Sequence, residues 1–238
     1  MFWWQTQAGD GLMVAFTNTT AGNLALHVGD HPGQVLLRRA ALEKRMQVPA
    51  GSLRFMNQVH SADVATVDTA DGLGPGSPSA VPTADALVSA DGSSPLAVMV
   101  ADCVPVLLAG RGPGGVVTAA AHAGRRGLLD GVLANTVATM RSAGATGLRA
   151  WIGPAVCGAC YEVPEAMLAD AKARLPVLAS RTRWDTPALD LPAGAEAELT
   201  ALDVQVIRLP GCTLESDDLY SHRRSSAAGR FAGVIWRR

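Results

Sequence analysis

The sequence predicts an α/β fold in which a sheet of aliphatic strands is covered by helices. Composition is the first reason: 48% of the 238 residues are hydrophobic but only 5% are aromatic, so the core is built from Val, Ala and Leu. The second is the alternation of short apolar runs of strand length with longer segments of helical periodicity. The third is the stretch from Pro95 to Asp130, where one apolar run reaches Asp102-Cys103 just before Val104-Pro105 and a second carries His122 just before Ala123-Gly124. Read as parallel neighbours, the two strands deliver a thiolate and an imidazole to one sheet edge, where α/β proteins commonly build sites.

In chain order, Leu12 to Phe16 reads as a strand, and Thr17 to Gly22 as a loop of small polar residues. A helix follows from about Pro32 to Arg45, with apolar Val35, Leu36, Ala40 and Leu42 among charged residues. The run LRFMNQVHSADVATVD has two strand-like halves with His60 at the corner between them. Asp71 to Pro82, rich in Gly, Pro and Ser, reads as a loop able to cover a site. Thr83 to Val88 begins a short strand whose Asp85 is either a turn residue, the slightly favoured reading, or a partner for a metal-bound histidine.

After His122, a glycine-flanked pair, Arg125-Arg126, opens a helix over about Leu128 to Arg141. The pair is either an anion pocket at the helix start or two solvated side chains. Leu148 to Ile152 is a strand, followed by the Cys157-x-x-Cys160 turn and a helix ending near Arg174. A single CxxC is weak evidence for metal, so small buried thiols are the favoured reading. Asp190 to Leu202 reads as a helix, Val204 to Leu209 as a strand, and Leu219 to Arg224 with Phe231 to Trp236 as a closing pair of strands.

No low-complexity linker divides the chain, so residues 1–238 are expected to form one domain. The formal charge of −1 argues against a general nucleic-acid binder. The N-terminus lacks the basic region of a signal peptide, and no run reaches the roughly 18 apolar residues a membrane span needs. A cytoplasmic protein with no membrane partner is expected, its four cysteines reduced and suited to metal or nucleophilic chemistry.

The segments NQVHSADV, TADALVS, VADCVP, AHAGRRG, WIGPAVCGACYEV, CT and LYSHRRSSAAGRFAGVIW stand in the order and spacing of the multicopper-polyphenol-oxidase-like family. The chain resembles that family, also called the YfiH or laccase-domain family, from Thr17 onward. The family includes the peptidoglycan editing factor and purine nucleoside phosphorylases. The resemblance implies a single-domain α/β fold in four αββα layers, with helices outside two packed mixed sheets, and a mononuclear zinc site. Matched by motif, its ligands are His60 in QVH, Cys103 in ADCVP and His122 in AHAG. Where relatives have Trp this chain has Arg125, and the Thr17–Gly22 loop is shorter than theirs.

Two imidazoles and one thiolate leave a tetrahedral zinc one open position, the pattern of a catalytic site. The resemblance implies a zinc-dependent purine nucleoside phosphorylase acting on adenosine, inosine, guanosine and methylthioadenosine, with adenosine deamination as a further activity. Its partners are then a purine nucleoside and phosphate. Arg126 is the candidate anion contact, with Arg223 and Arg224 competing. Asp102 adjoins a ligand and is a candidate for proton transfer, or fixes neighbouring backbone or an arginine. Cys103 and His122 also read as a nucleophile and its base, a reading that competes with the zinc one. The alternatives are a peptidoglycan-precursor editing factor or hydrolase with a Cys/His site and, ranked lower, a copper polyphenol oxidase. Five histidines are too few for a four-copper oxidase, and copper at such soft ligands is read as adventitious.

Overall fold

The computed structural model describes residues 1–67 and 81–238. Two sheets pack face to face, with helices on both outer surfaces, giving the expected αββα layering. The first sheet has the order β1 (Phe2–Gln7), β2 (Leu12–Thr17), β12 (Phe231–Arg237), β5 (Leu96–Val100). The second has the order β11 (Gln205–Arg208), β8 (Thr146–Ile152), β6 (Val104–Gly112), β7 (Gly115–Ala123), β4 (Ala86–Ser89), β3 (Val64–Thr66). A small ribbon of β9 (Ala179–Arg181) and β10 (Pro187–Leu189) lies apart.

The layering follows from strands that are apolar on both faces. In β2, Leu12, Val14 and Phe16 point between the sheets, while Met13 and Ala15 point outward beneath α1 (Pro32–Met46). β12 divides the same way: Phe231 and Ile235 face inward, and Ala232, Val234 and Trp236 face the helix layer. In the second sheet, Val104, Val106 and Leu108 of β6 meet Leu128, Leu133, Val137 and Leu199 from α2 (Arg125–Leu129), α3 (Val132–Ser142) and α5 (Leu191–Ala201). Leu107 and Ala109 of the same strand, with Trp151 of β8, face the other sheet. Such strands read in sequence as continuous apolar runs rather than alternating ones.

Several expectations need correction. The run that reaches Cys103 is not one strand: β5 ends at Val100, and Ala101–Cys103 crosses from the first sheet to the second before β6 begins. Cys103 and His122 are not at the ends of parallel strands. β6 and β7 form an antiparallel hairpin with Pro105 opposite His122, turned by Pro113-Gly114, so the start of one strand lies beside the end of the other. The expected helix over 128–141 is two helices, broken at Gly131, whose φ of 90° suits glycine.

Leu219–Arg224 forms turns rather than a strand, and β12 instead runs between β2 and β5. Among the described residues 53–67 only Val64–Thr66 is a strand; Arg54 and Asn57 make single bridges to Leu96 and Thr83. The loop expected at 71–82 lies almost wholly outside the described residues. The helices at 32–45, 165–174 and 191–201 stand close to where periodicity puts them, the second being α4 (Glu165–Arg174). None of the described helices is long and apolar enough to cross a membrane.

Candidate metal centre

His122 follows Ala120 on the inter-sheet face of β7, so strand alternation aims its imidazole between the sheets at their open end. Cys103, one residue before β6, packs against the same inter-sheet core. His60 arrives from a loop in left-handed backbone, with φ of 60°. The ligand atoms of these three residues all lie within 4.8 Å of one another, and His60 Nε2 stands 3.7 Å from Cys103 Sγ. A tetrahedral ion with zinc–nitrogen and zinc–sulfur bonds near 2.0 and 2.3 Å would set that edge at about 3.5 Å. The donor set therefore fits a single borderline-soft ion.

Asp85 organises two of the three candidate ligands. Its fully buried carboxylate accepts from the backbone N–H groups of Val59 (3.1 Å), His60 (3.0 Å) and Ser61 (2.6 Å) and from Ser61 Oγ (2.9 Å). It also accepts from His122 Nδ1 at 2.8 Å. That bond fixes the imidazole tautomer and leaves Nε2 as the donor towards the cluster. Of the two readings open for Asp85 in the sequence, the histidine partner stands, and the turn reading does not describe so many converging donors. Burial alone would raise the Asp85 pKa, but the hydrogen bonds from His122 and Ser61 outweigh it and hold the carboxyl at about 2. For Cys103, burial is likewise overcome by the adjacent His122 and His60, which bring its thiol down to about 6. His122 moves the other way, upward, because burial is outweighed by Cys103 and Asp85.

Glycine makes room for the cluster. A Cβ on Gly124 would lie 2.6 Å from His60 Cδ2 and 3.3 Å from Cys103 Sγ, and one on Gly127 would lie 2.7 Å from the Ser61 carbonyl oxygen. The glycines of AHAGRRG thus serve close approach to the His60 loop. Gln58 holds that loop to the other sheet: its amide donates to Met99 O (2.7 Å) and accepts from Met99 N (2.9 Å).

Asp102 adjoins Cys103 and lines the cavity over the cluster, but it is not one of the clustered donors. Its backbone has φ of 95°, held by Thr213 Oγ1 donating to Oδ1 (2.6 Å), Arg223 N–H donating to Oδ2 (2.7 Å) and Val156 N–H donating to its carbonyl (3.0 Å). These bonds fix neighbouring backbone, one of the two roles its sequence position allowed.

A cavity of about 340 Å³ opens over the cluster, lined by its three candidate ligands and Asp102 together with Gln58, Tyr161, His27, His222, Arg223 and Arg230. Its arginines are Arg223, one of the two competing candidates, and Arg230, while Arg126 is not among them. Arg126 is exposed on α2, Arg125 is half-buried, and neither lines the cavity. The Arg224 guanidinium donates to the carbonyls of Thr213, Leu214, Ser216 and Leu219, which makes it a brace. Arg223 lies over the Tyr161 ring at 4.5 Å and donates to Glu162 O. Arg230 donates through Nη1 to Ala228 O and Gly229 O, and the charges of Cys103 and Asp102 act on it. Sequence reasoning missed Arg230, Tyr161, Gln58 and Gly124; the LYSHRRSSAAGRFAGVIW segment carried the signal for the first, but which arginine turns inward is a tertiary matter.

Residues 6–238 match the family described as multi-copper polyphenol oxidoreductase laccase. A purine nucleoside phosphorylase of Streptomyces coelicolor is 48% identical over 217 residues, covering 90% of this chain and 87% of that protein. One of Mycobacterium tuberculosis is 41% identical, covering 90% and 84% respectively. Among solved structures, YlmD from Geobacillus stearothermophilus superposes with a TM-score of 0.85 at 28% identity over 100% of both chains. A Neisseria meningitidis protein does so with a TM-score of 0.83 at 33% identity, covering 98% of each.

Proposed function

The chain belongs to the multi-copper polyphenol oxidoreductase laccase family, and from that premise we propose that it is a purine nucleoside phosphorylase using one zinc ion held by His60, Cys103 and His122. The observation that carries this reading is a cluster of two imidazoles and one thiolate on the floor of a cavity that also holds two arginines. Relatives named purine nucleoside phosphorylase, 41–48% identical, support it. The family's name implies several coppers, yet one Cys–His₂ set supplies ligands for one ion, and the chain's five histidines cannot build a multicopper array beside it.

His60, Cys103 and His122 would hold the zinc, which would supply Lewis acidity to a group bound in the cavity. Everything else rests on side chains. In phosphorolysis a phosphate oxygen attacks the ribose C1′, the glycosidic bond breaks, and the purine leaves with the electron pair and takes a proton. Arg223 and Arg230 hold the phosphate, since they are the guanidinium groups facing the cavity and charge-assisted bonds to phosphate are strong. The Tyr161 ring keeps the Arg223 fork in place from below. Asp85 keeps His122 in one tautomer, and Asp102 keeps the backbone of Arg223 against the crossover that carries Cys103.

The test is an assay of zinc-loaded protein with adenosine, inosine and guanosine, with and without phosphate, reading free base by chromatography beside a Cys103→Ala control. Phosphate-dependent base release that the control lacks is expected. Inosine formed from adenosine would add deamination to the same centre. No turnover by metal-replete protein would overturn the proposal.

A further inference from the structure

A second cluster stands outside this cavity. The sulfurs of Cys157, Cys160 and Cys212 and a carboxylate oxygen of Glu215 all lie within 4.8 Å of one another. The geometry points to a structural zinc centre here, ligated by the three cysteines with Glu215 as fourth ligand, that clamps segment 153–163 to segment 209–216.

The local backbone is shaped for it. Cys160 N–H and Tyr161 N–H both donate to Cys157 O at 2.9 Å, one helical turn that puts the side chains of Cys157 and Cys160 on the same side. Cys212 comes from the other segment, aligned by a parallel bridge to Ala155 and by Thr213 N–H donating to Ala155 O (3.1 Å). Cys157 N–H points at Cys212 Sγ at 3.4 Å, the kind of amide-to-sulfur bond that stabilises a thiolate. Glu215 is brought round by its N–H bond to Cys212 O (3.2 Å).

Charge is provided for as well. Three thiolates, one carboxylate and a divalent ion leave two negative charges; Arg183 offsets one, donating to Cys160 Sγ at 3.0 Å and pairing with Glu215, while Arg208 of the adjoining cavity wall is paired with Asp190 and Glu196. That cavity, about 310 Å³, is lined by Cys157, Cys212 and Glu215 and gives an ion a way in. Binding would displace the three thiol protons into solvent. Four protein ligands with no open position are the mark of a structural rather than a catalytic ion.

The clamp bears on the first centre. Thr213, beside Cys212, donates to the Asp102 carboxylate, and Tyr161, beside Cys160, lies under Arg223 in the cavity wall.

The experiment uses full-length His60→Ala/Cys103→Ala protein, which lacks two ligands of the first centre. After gel filtration, zinc is measured by mass spectrometry and thiols are counted. The expected result is about one zinc per chain, lost when Cys157→Ser and Cys212→Ser are added. Cobalt(II) loaded into the same two-site variant should show an intense thiolate-to-cobalt charge-transfer band, since the only cysteines left are the three of the cluster. Should the serine variant fail to fold, this spectrum decides alone. Absence of the band with all three thiols reduced, or a disulfide within the trio under reducing conditions, would overturn the proposal.

Discussion

At the scale of single residues, the tightest constraint on the centre is Gly124, whose missing Cβ leaves space for both His60 and Cys103. The Gly124→Ala protein should lose about 10- to 100-fold in zinc affinity at this centre, the range seen when the surroundings of metal ligands are disturbed. Zinc competition with a chromophoric chelator measures it, and unchanged affinity would show that the loop moves aside freely. Asp85 gives a pH signature. Its folded pKa of about 2 lies below the unfolded value near 4, so its stabilisation is present above about pH 4 and is lost as pH falls through the folded value. The loss is on the order of 2 kcal/mol, and the gap in urea midpoint between wild type and Asp85→Asn should narrow on acidification from pH 5 to pH 3. Of the site's residues, His60, Cys103 and His122 were legible because polar groups ended apolar runs. Asp85 was ambiguous, since a carboxylate before a strand reads alike whether it turns the chain or orients a distant imidazole. Gly124 and Arg230 were not legible, because what they approach is set by contacts between segments far apart in sequence.

Among elements, the closing strand β12 matters most, because it runs between β2 and β5 with both faces covered. Trp236 is 1% exposed, and its indole N–H donates to Met46 O at the end of α1, tying helix to sheet at 3.0 Å. Trp236→Ala should cost about 3–5 kcal/mol, read as a shift in the denaturant midpoint. A loss below about 1 kcal/mol would mean that β12 is not a central strand. Apolar periodicity located α1, β2, β8 and α5 closely, and in the structure Pro32 and Pro192 stand in the first turns of α1 and α5. Pairing was harder. The Gly-Pro-Gly stretch at 112–114 was itself a hairpin signal, and a turn so tight forces β6 and β7 antiparallel. β1 escaped notice because its residues are half-buried and mix Gln and Thr with tryptophan, so neither period dominates.

For the whole molecule, the four layers could not be read from strand patterns alone, since strands buried on both faces show no alternation that says which neighbour covers them. The residues that hold the two proposed ions come from segments far apart in the chain, so metal should stabilise the native state by linkage. Chelation is expected to lower the thermal midpoint of wild type in two separable steps, and that of the Cys157→Ser/Cys212→Ser protein in one. A single step in both would assign all the metal-linked stability to the His60, Cys103 and His122 centre. The central claim, phosphorolysis at that centre, is tested most directly by phosphorus NMR of zinc-loaded protein supplied with inosine and inorganic phosphate. A new resonance of ribose 1-phosphate, growing as inorganic phosphate falls and absent with His122→Ala, is the predicted result. Hypoxanthine released with the phosphate signal unchanged would contradict it, because the bond would then be cleaved by water.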